Sequence, residues 1–136
     1  MEAVYTADTG SGGLANSSSP AYLLGGWWRE DDPRDRTLNV PRVEVSIAGE
    51  SIFMAAGKDH GKAIVRLHIY AKRDAGWDAI GSIDRRLWTL FHRVALTDSN
   101  NYWTFAPLAR IRSTPAPATT DLLHQVVEFE ATATRV

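Results

Sequence analysis

The chain contains no cysteine. Disulfide stapling, thiolate zinc sites and a cysteine nucleophile are therefore excluded from the start. Long apolar runs are also missing: nothing approaches the ~20 residues that a membrane-spanning helix needs. The stretch from Met1 to Gly13 has neither the basic start nor the apolar segment of a signal peptide. The expectation is no membrane partner and a protein that stays in the compartment where it is made. Charge of one sign is lacking too, with 15 Lys and Arg against 16 Asp and Glu, a formal net charge of −1. A protein that grips a duplex through its phosphates carries a basic surplus, so no sequence-specific nucleic-acid partner is expected.

The motifs of common chemistries are absent as well. None of the four histidines, His60, His68, His92 and His124, belongs to an HExxH pair. There is no GxSxG elbow and no GxxxxGK[ST] loop. Gly10-Ser11-Gly12-Gly13 matches a phosphate loop only in its glycines, without a preceding strand or a following helix. The acids Glu30, Asp31, Asp32 and Asp35 lack EF-hand spacing and interleave with Arg29, Arg34 and Arg36, which reads as a solvated, salt-laced loop rather than a calcium site. Glu128 and Glu130 share a strand face two residues apart, yet acid–base work would need them in a cleft with separated pKa values. His68 and His124 fall on the polar phases of two strands and could pair on a metal only if those strands are neighbours. The favoured reading for each is the ordinary one: no catalytic residue, no cofactor, no metal, and no enzyme.

What the chain does contain is the material of one globular domain. Its 136 residues are 44% hydrophobic and 23% charged, sufficient for a single core. Residues 6–20, TADTGSGGLANSSSP, are so rich in small polar residues that they read as an arm or loop. Val43, Val45 and Ile47 alternate with polar neighbours, the period of a half-buried strand, with Pro41 near its start. Gly49-Glu50 suggests a turn and Gly57 to Gly61 a loop, with Ile52 to Ala55 between them as a short continuation of the first strand or a partner strand to it. Ala63, Val65, Leu67, Ile69 and Ala71 form the clearest strand.

A helix follows, with Trp77, Ile80, Ile83, Leu87, Leu90, Phe91 and Val94 on one stripe, Asp74 as its N-cap and Asp98-Ser99-Asn100 as its stop. Gly81 inside it costs about 1 kcal/mol against Ala, so packing must hold the helix. Trp77 and Trp88, eleven residues apart, line one edge of the stripe. There they either cap the core where helix meets sheet or supply a subunit contact. The segment 102–112 is interrupted by Pro107 and should be a broken or edge strand. A Pro-Ala-rich link at 114–120 leads to a long strand in which Leu123, Gln125, Val127, Phe129, Ala131 and Ala133 share a face.

The fold class expected is α+β: a mostly antiparallel sheet with one main amphipathic helix packed on one face, a β-hairpin and an irregular N-terminal arm. Residues 1–20 would be the arm and 21–136 a single domain. Five tryptophans are many for this length, and Trp27-Trp28 sit between Gly25-Gly26 and a charged loop. Aromatic pair, polar arm and charged loop together suggest surface used for partners.

The order of features resembles a known family. GSGGL (10–14), LLGGWWREDDP (23–33), VPRVEVSIAGES (40–51), IVRLHIYAKRD (64–74) and IGSIDRRLWTLF (80–91) look like the corresponding segments of tail-terminator or tail-completion proteins of long-tailed bacteriophages. Only Glu2 to Ala7 is available for the first helix of that family, so it should be very short or missing. The resemblance implies a virion protein of the tail or neck, made in the host cytoplasm. It implies a homo-oligomer, a hexameric ring, that caps the tail tube protein and meets the head–tail connector or stopper protein. Trp27, Trp28, Asp32, Arg34, Arg36, Lys58, His60 and Trp88 would then be candidate subunit-interface residues, with Trp28→Ala or charge reversal in EDDPRDR (30–36) weakening assembly but not the monomer. The competing class is a small α+β ligand-binding domain or enzyme with a pocket between helix and sheet, holding residues such as His68 and His124.

Overall fold

Alternation of apolar and polar residues produces three long strands, and they form the middle of the sheet. In the computed structural model, which describes residues 1–29, 39–55, 57–119 and 121–136, these are β2 (Arg42–Ala55), β3 (Lys58–Lys72) and β7 (Leu122–Arg135). They pair antiparallel to one another in the order β2-β3-β7. Among the described residues, four shorter strands join them: β1 (Gly26–Arg29), β4 (Ala95–Thr97), β5 (Trp103–Pro107) and β6 (Ala109–Pro115). The full order is β1-β2-β3-β7-β5-β4, with β6 also on β7, and the sheet curls into a half-barrel around one main helix, α2 (Gly76–Phe91). The α+β expectation is met.

Register explains the core. Val43 faces Ile69, which faces Gln125, and Val45, Leu67 and Val127 form the next rung. With Val65 and Phe129, these residues make the concave face. Onto it α2 lays Ile80, Ile83, Leu87 and Phe91, all buried. Phe91 meets Phe129 edge-on, with ring centroids 6.3 Å apart. Gln125 is the polar exception on this face, and it donates to the Oδ2 of Asp84 on α2 at 3.2 Å. Arg110 and Ser113 of β6 donate to the same oxygen at 3.1 and 2.8 Å, which satisfies Oδ2, while the buried Oδ1 faces Arg110 Nη2 at 2.8 Å as an ion pair.

Several boundaries differ from the sequence reading. The turn expected at Gly49-Glu50 is a bulge between Ala48 and Ser51, and β2 continues through it to Ala55. Most of the Gly57–Gly61 loop is therefore strand: Ala55 pairs with Lys58, so the hairpin closes tightly. Asp74 lies in a 3₁₀ turn, Arg73–Ala75, and the N-cap of α2 is Ala75 without a side-chain cap. The helix stops at Phe91, not near Asp98, because Arg93 takes a left-handed φ of 63° and turns the chain into β4. Trp77 is exposed rather than part of the buried stripe. The break at Pro107 is real: β5 and β6 both run along β7, on either side of a buried Leu108.

The N-terminal segment is where expectation and structure part most. A helix α1 (Glu2–Ala7) of six residues is present, as short as anticipated. The 6–20 stretch, however, packs on the body instead of forming an arm. Leu14, Ala21 and Leu23 join the hydrophobic core, and Asp8 is buried. Gly13 is required there, since a Cβ at its position would lie 2.1 Å from the Asp8 carbonyl oxygen. A composition too polar to form a core on its own has been recruited by a core built elsewhere.

Candidate functional site

The aromatic pair next to the glycines is structural. Gly26 to Arg29 pair in parallel with Arg42 to Val45, so Trp27 and Trp28 point to opposite faces of the sheet. Trp27 goes to the helix side, where it stacks on Tyr5 at 5.7 Å and tilts against Phe91 at 6.0 Å. Trp28 is 0% exposed, and its Nε1 donates to the Gly25 carbonyl at 2.6 Å. The expected partner-facing role for Trp28 is therefore corrected: its ring is already covered. The close approach is made possible by Gly25, where a Cβ would sit 2.2 Å from the Asn39 carbonyl oxygen.

The other candidate interface residues are scattered. Asp32, Arg34 and Arg36 lie outside the described residues. Lys58 is exposed at the start of β3. His60 is half-buried, stacked on Phe53 at 5.4 Å, with Nε2 at 3.1 Å from the Ala55 carbonyl and Nδ1 at 3.2 Å from the Thr134 hydroxyl. Trp88 is partly exposed, with His92 stacked on one side at 4.1 Å and the Arg110 guanidinium 4.8 Å from its centroid. That contact joins α2 to β6 and fits the core-capping alternative for this residue.

The structure adds an apolar surface that sequence patterning did not single out. The concave face of the sheet extends past the helix, and there Ile52, Gly61, Trp103, Phe105, Ala131 and Ala133 line an open groove of about 280 Å³. Next to it the hairpin end exposes Ile52 at 73% and Met54 at 74%. Exposed apolar side chains beside an apolar groove are the features of a protein–protein contact. Ile52 to Ala55 was legible as strand in the sequence, but nothing local showed that Ile52 and Met54 would stay exposed.

The convex face holds a polar cluster. Arg42, buried beneath the surface, places its guanidinium 4.3 Å from the Tyr70 centroid and 5.0 Å from Trp28, and its Nε donates to Glu44 at 2.9 Å. Tyr70 in turn stacks on His124 at 4.2 Å. His68 Nδ1 lies 3.0 Å from His124 Nε2, and His68 Nε2 lies 3.1 Å from the Ser46 hydroxyl. The two histidines are thus diagonal neighbours on β3 and β7, as the condition for a pair required. No group of three or more His, Cys, Asp or Glu able to hold a metal occurs among the described residues. Burial pushes His124 below the ordinary histidine range, against a smaller raising effect of its bond to Pro117. On the same face Glu128, also buried, is held by Arg66 at 3.2 Å and Arg112 at 2.8 Å, so it reads as the centre of an ion-pair ladder rather than an acid–base carboxylate.

No family model matches the chain, and no curated protein matches it in sequence. Its fold does have a counterpart among solved structures. A chain in the virion of a native gene transfer agent particle superposes with a TM-score of 0.66 at 13% identity, covering 98% of this chain and 94% of that one.

Proposed function

We propose that this chain is a structural protein of a phage-like particle, and that it acts as a tail terminator. In this reading copies of the chain close into a ring, a hexamer, that caps the tail tube and meets the head-side connector. The observation that carries it is the likeness in fold, over nearly the whole of both chains, to a component of a gene transfer agent virion. The apolar hairpin end and the groove beside it supply surfaces of the kind a ring needs, since a heterologous contact repeated with a closing rotation makes a ring. Lys58 and His60 lie on that same hairpin. The role is geometric rather than catalytic, and no cofactor is part of it. The layer between α2 and the sheet, where the competing reading places a ligand pocket, is filled by Ile83, Leu87, Leu67, Val127 and Phe129 at 0% exposure.

Light scattering behind a sizing column, followed by negative-stain imaging, tests the proposal. The expected result is a closed ring of one defined stoichiometry, alone or on added tail tubes. A chain that stays monomeric at high concentration, and remains so with tubes present, overturns it.

A further inference from the structure

Four groups on the convex face form a directed chain of hydrogen bonds, and its direction can be assigned from one end. The carbonyl oxygen of Pro117 can only accept, so His124 Nδ1, 3.3 Å away, carries a hydrogen. In a neutral ring the other nitrogen, Nε2, is then an acceptor, and His68 Nδ1 donates to it across 3.0 Å. The last link, His68 Nε2 to Ser46 Oγ at 3.1 Å, works either way: the hydroxyl donates to a neutral ring or accepts from a protonated one. The chain therefore crosses β2, β3 and β7 and ends on the link between β6 and β7.

Counting protons gives the consequence. With both imidazoles neutral every bond is made. One added proton is accommodated as well, because His68 then donates from both nitrogens, to His124 and to Ser46. A second proton places hydrogens on both His68 Nδ1 and His124 Nε2, so two donors and two positive charges face each other. We propose that His68 and His124 are a pH-operated catch: the pair binds one proton with the chain intact, and a second only by parting, which loosens Ala116 and Pro117 from the start of β7. The far end of the link stays held at Thr119, whose hydroxyl accepts from the Leu122 amide at 3.2 Å and whose carbonyl accepts from Arg73 at 2.7 Å. At the near end the Ala116 amide donates to the His124 carbonyl at 3.0 Å and reports the event.

Among the described residues, the charged surroundings do not remove this limit. Facing the pair are Arg42 and Glu44 from β2, Arg66 and Tyr70 from β3, and Glu128 from β7. Glu44 accepts from Arg42 at 2.9 Å, and Glu128 is shared by Arg66 and Arg112, so both carboxylates are already matched to guanidinium groups. His124 is half-buried under Tyr70, and the burial that disfavours its charged form acts in the same direction as the bond count.

The experiment is a histidine NMR titration of the full chain from about pH 8 to about pH 4, with amide exchange at Ala116 followed in parallel. The expected result is two coupled steps for His68 and His124, the second below the ordinary histidine value, with protection of Ala116 lost in that second step. Independent single-site curves for both rings near the ordinary value, or unchanged Ala116 protection, overturn the proposal. His124→Phe keeps a flat ring on Tyr70 but cannot take the proton. In that variant the acid-triggered loss at Ala116 should vanish, and its persistence overturns the catch. Should His124→Phe not fold, by circular dichroism at neutral pH, the titration of the unaltered chain decides alone.

Discussion

Arg86 of the central helix grips Asp8 of the N-terminal segment with two nitrogens, Nε donating to Oδ2 at 2.9 Å and Nη2 donating to Oδ1. The same Oδ2 accepts from the Leu14 amide at 2.7 Å. One carboxylate thus fastens a Gly- and Ser-rich stretch to the helix and positions Leu14 for the core.

Removing that carboxylate should release the segment. Asp8→Ala leaves the Arg86 charge and the buried Leu14 amide without their partner, at a cost of about 3 kcal/mol, the lower end for breaking a buried pair because Arg86 is partly exposed. Urea melts at neutral pH measure it. The bond from Arg86 holds the Asp8 carboxyl below its ordinary value. Its stabilisation is therefore complete above the ordinary Asp pKa and is lost as pH falls through the lower folded value. The gap between the two proteins should accordingly shrink in acid. An equal gap at both pH values would contradict the assignment.

Trp28→Ala should damage folding before it touches assembly. The ring is fully buried, carries the Arg42 guanidinium and donates to Gly25, so truncation opens a cavity and strands polar groups. A loss of about 3–5 kcal/mol is expected in thermal or chemical melts. A stable monomer with unchanged melting and impaired assembly would restore a surface role for this residue.

The hairpin end should behave in the opposite way. Ile52→Asp and Met54→Asp replace exposed apolar side chains and cost the monomer within about 0.5 kcal/mol. On the proposed function both should shift the oligomer toward monomer in light scattering. Full assembly by both variants would move the contact elsewhere.

Gly25→Ala tests a close approach of backbone to backbone. Its new methyl would meet the Asn39 carbonyl at 2.2 Å, so the segment leading into β1 must shift away from Pro41 and break the Gly25 amide to Pro41 carbonyl bond of 2.8 Å. The expected loss is more than about 1 kcal/mol in a denaturation melt, with β1 the first strand to lose amide protection. A neutral substitution would show that the contact relaxes freely.

The long elements were legible because their patterns are local. Val65, Leu67 and Ile69 mark one face of a strand without reference to anything distant, and Ile80, Ile83 and Leu87 do the same for the helix. Short elements were not. β1 has four residues and β4 three, too few for a period to register, and each exists because a neighbouring strand offers hydrogen bonds to it. The Gly49 bulge imitated a turn because the same residue type serves both. The histidines show the same division: their polar phase was readable, whereas their 3.0 Å meeting depended on a strand register no local pattern contains.

By itself, then, the amino-acid order determined the α+β class, the three long strands, the helix and its buried stripe, and the exclusion of thiol and disulfide chemistry. These follow from side-chain period and residue type, which act over a few neighbours. Tertiary structure alone decided that the polar N-terminal stretch belongs to the body, that Trp28 is core while Met54 is surface, and that Ser46, His68 and His124 form one chain. Each of those depends on which distant segments meet, and that is settled by the burial and strand pairing of the whole domain.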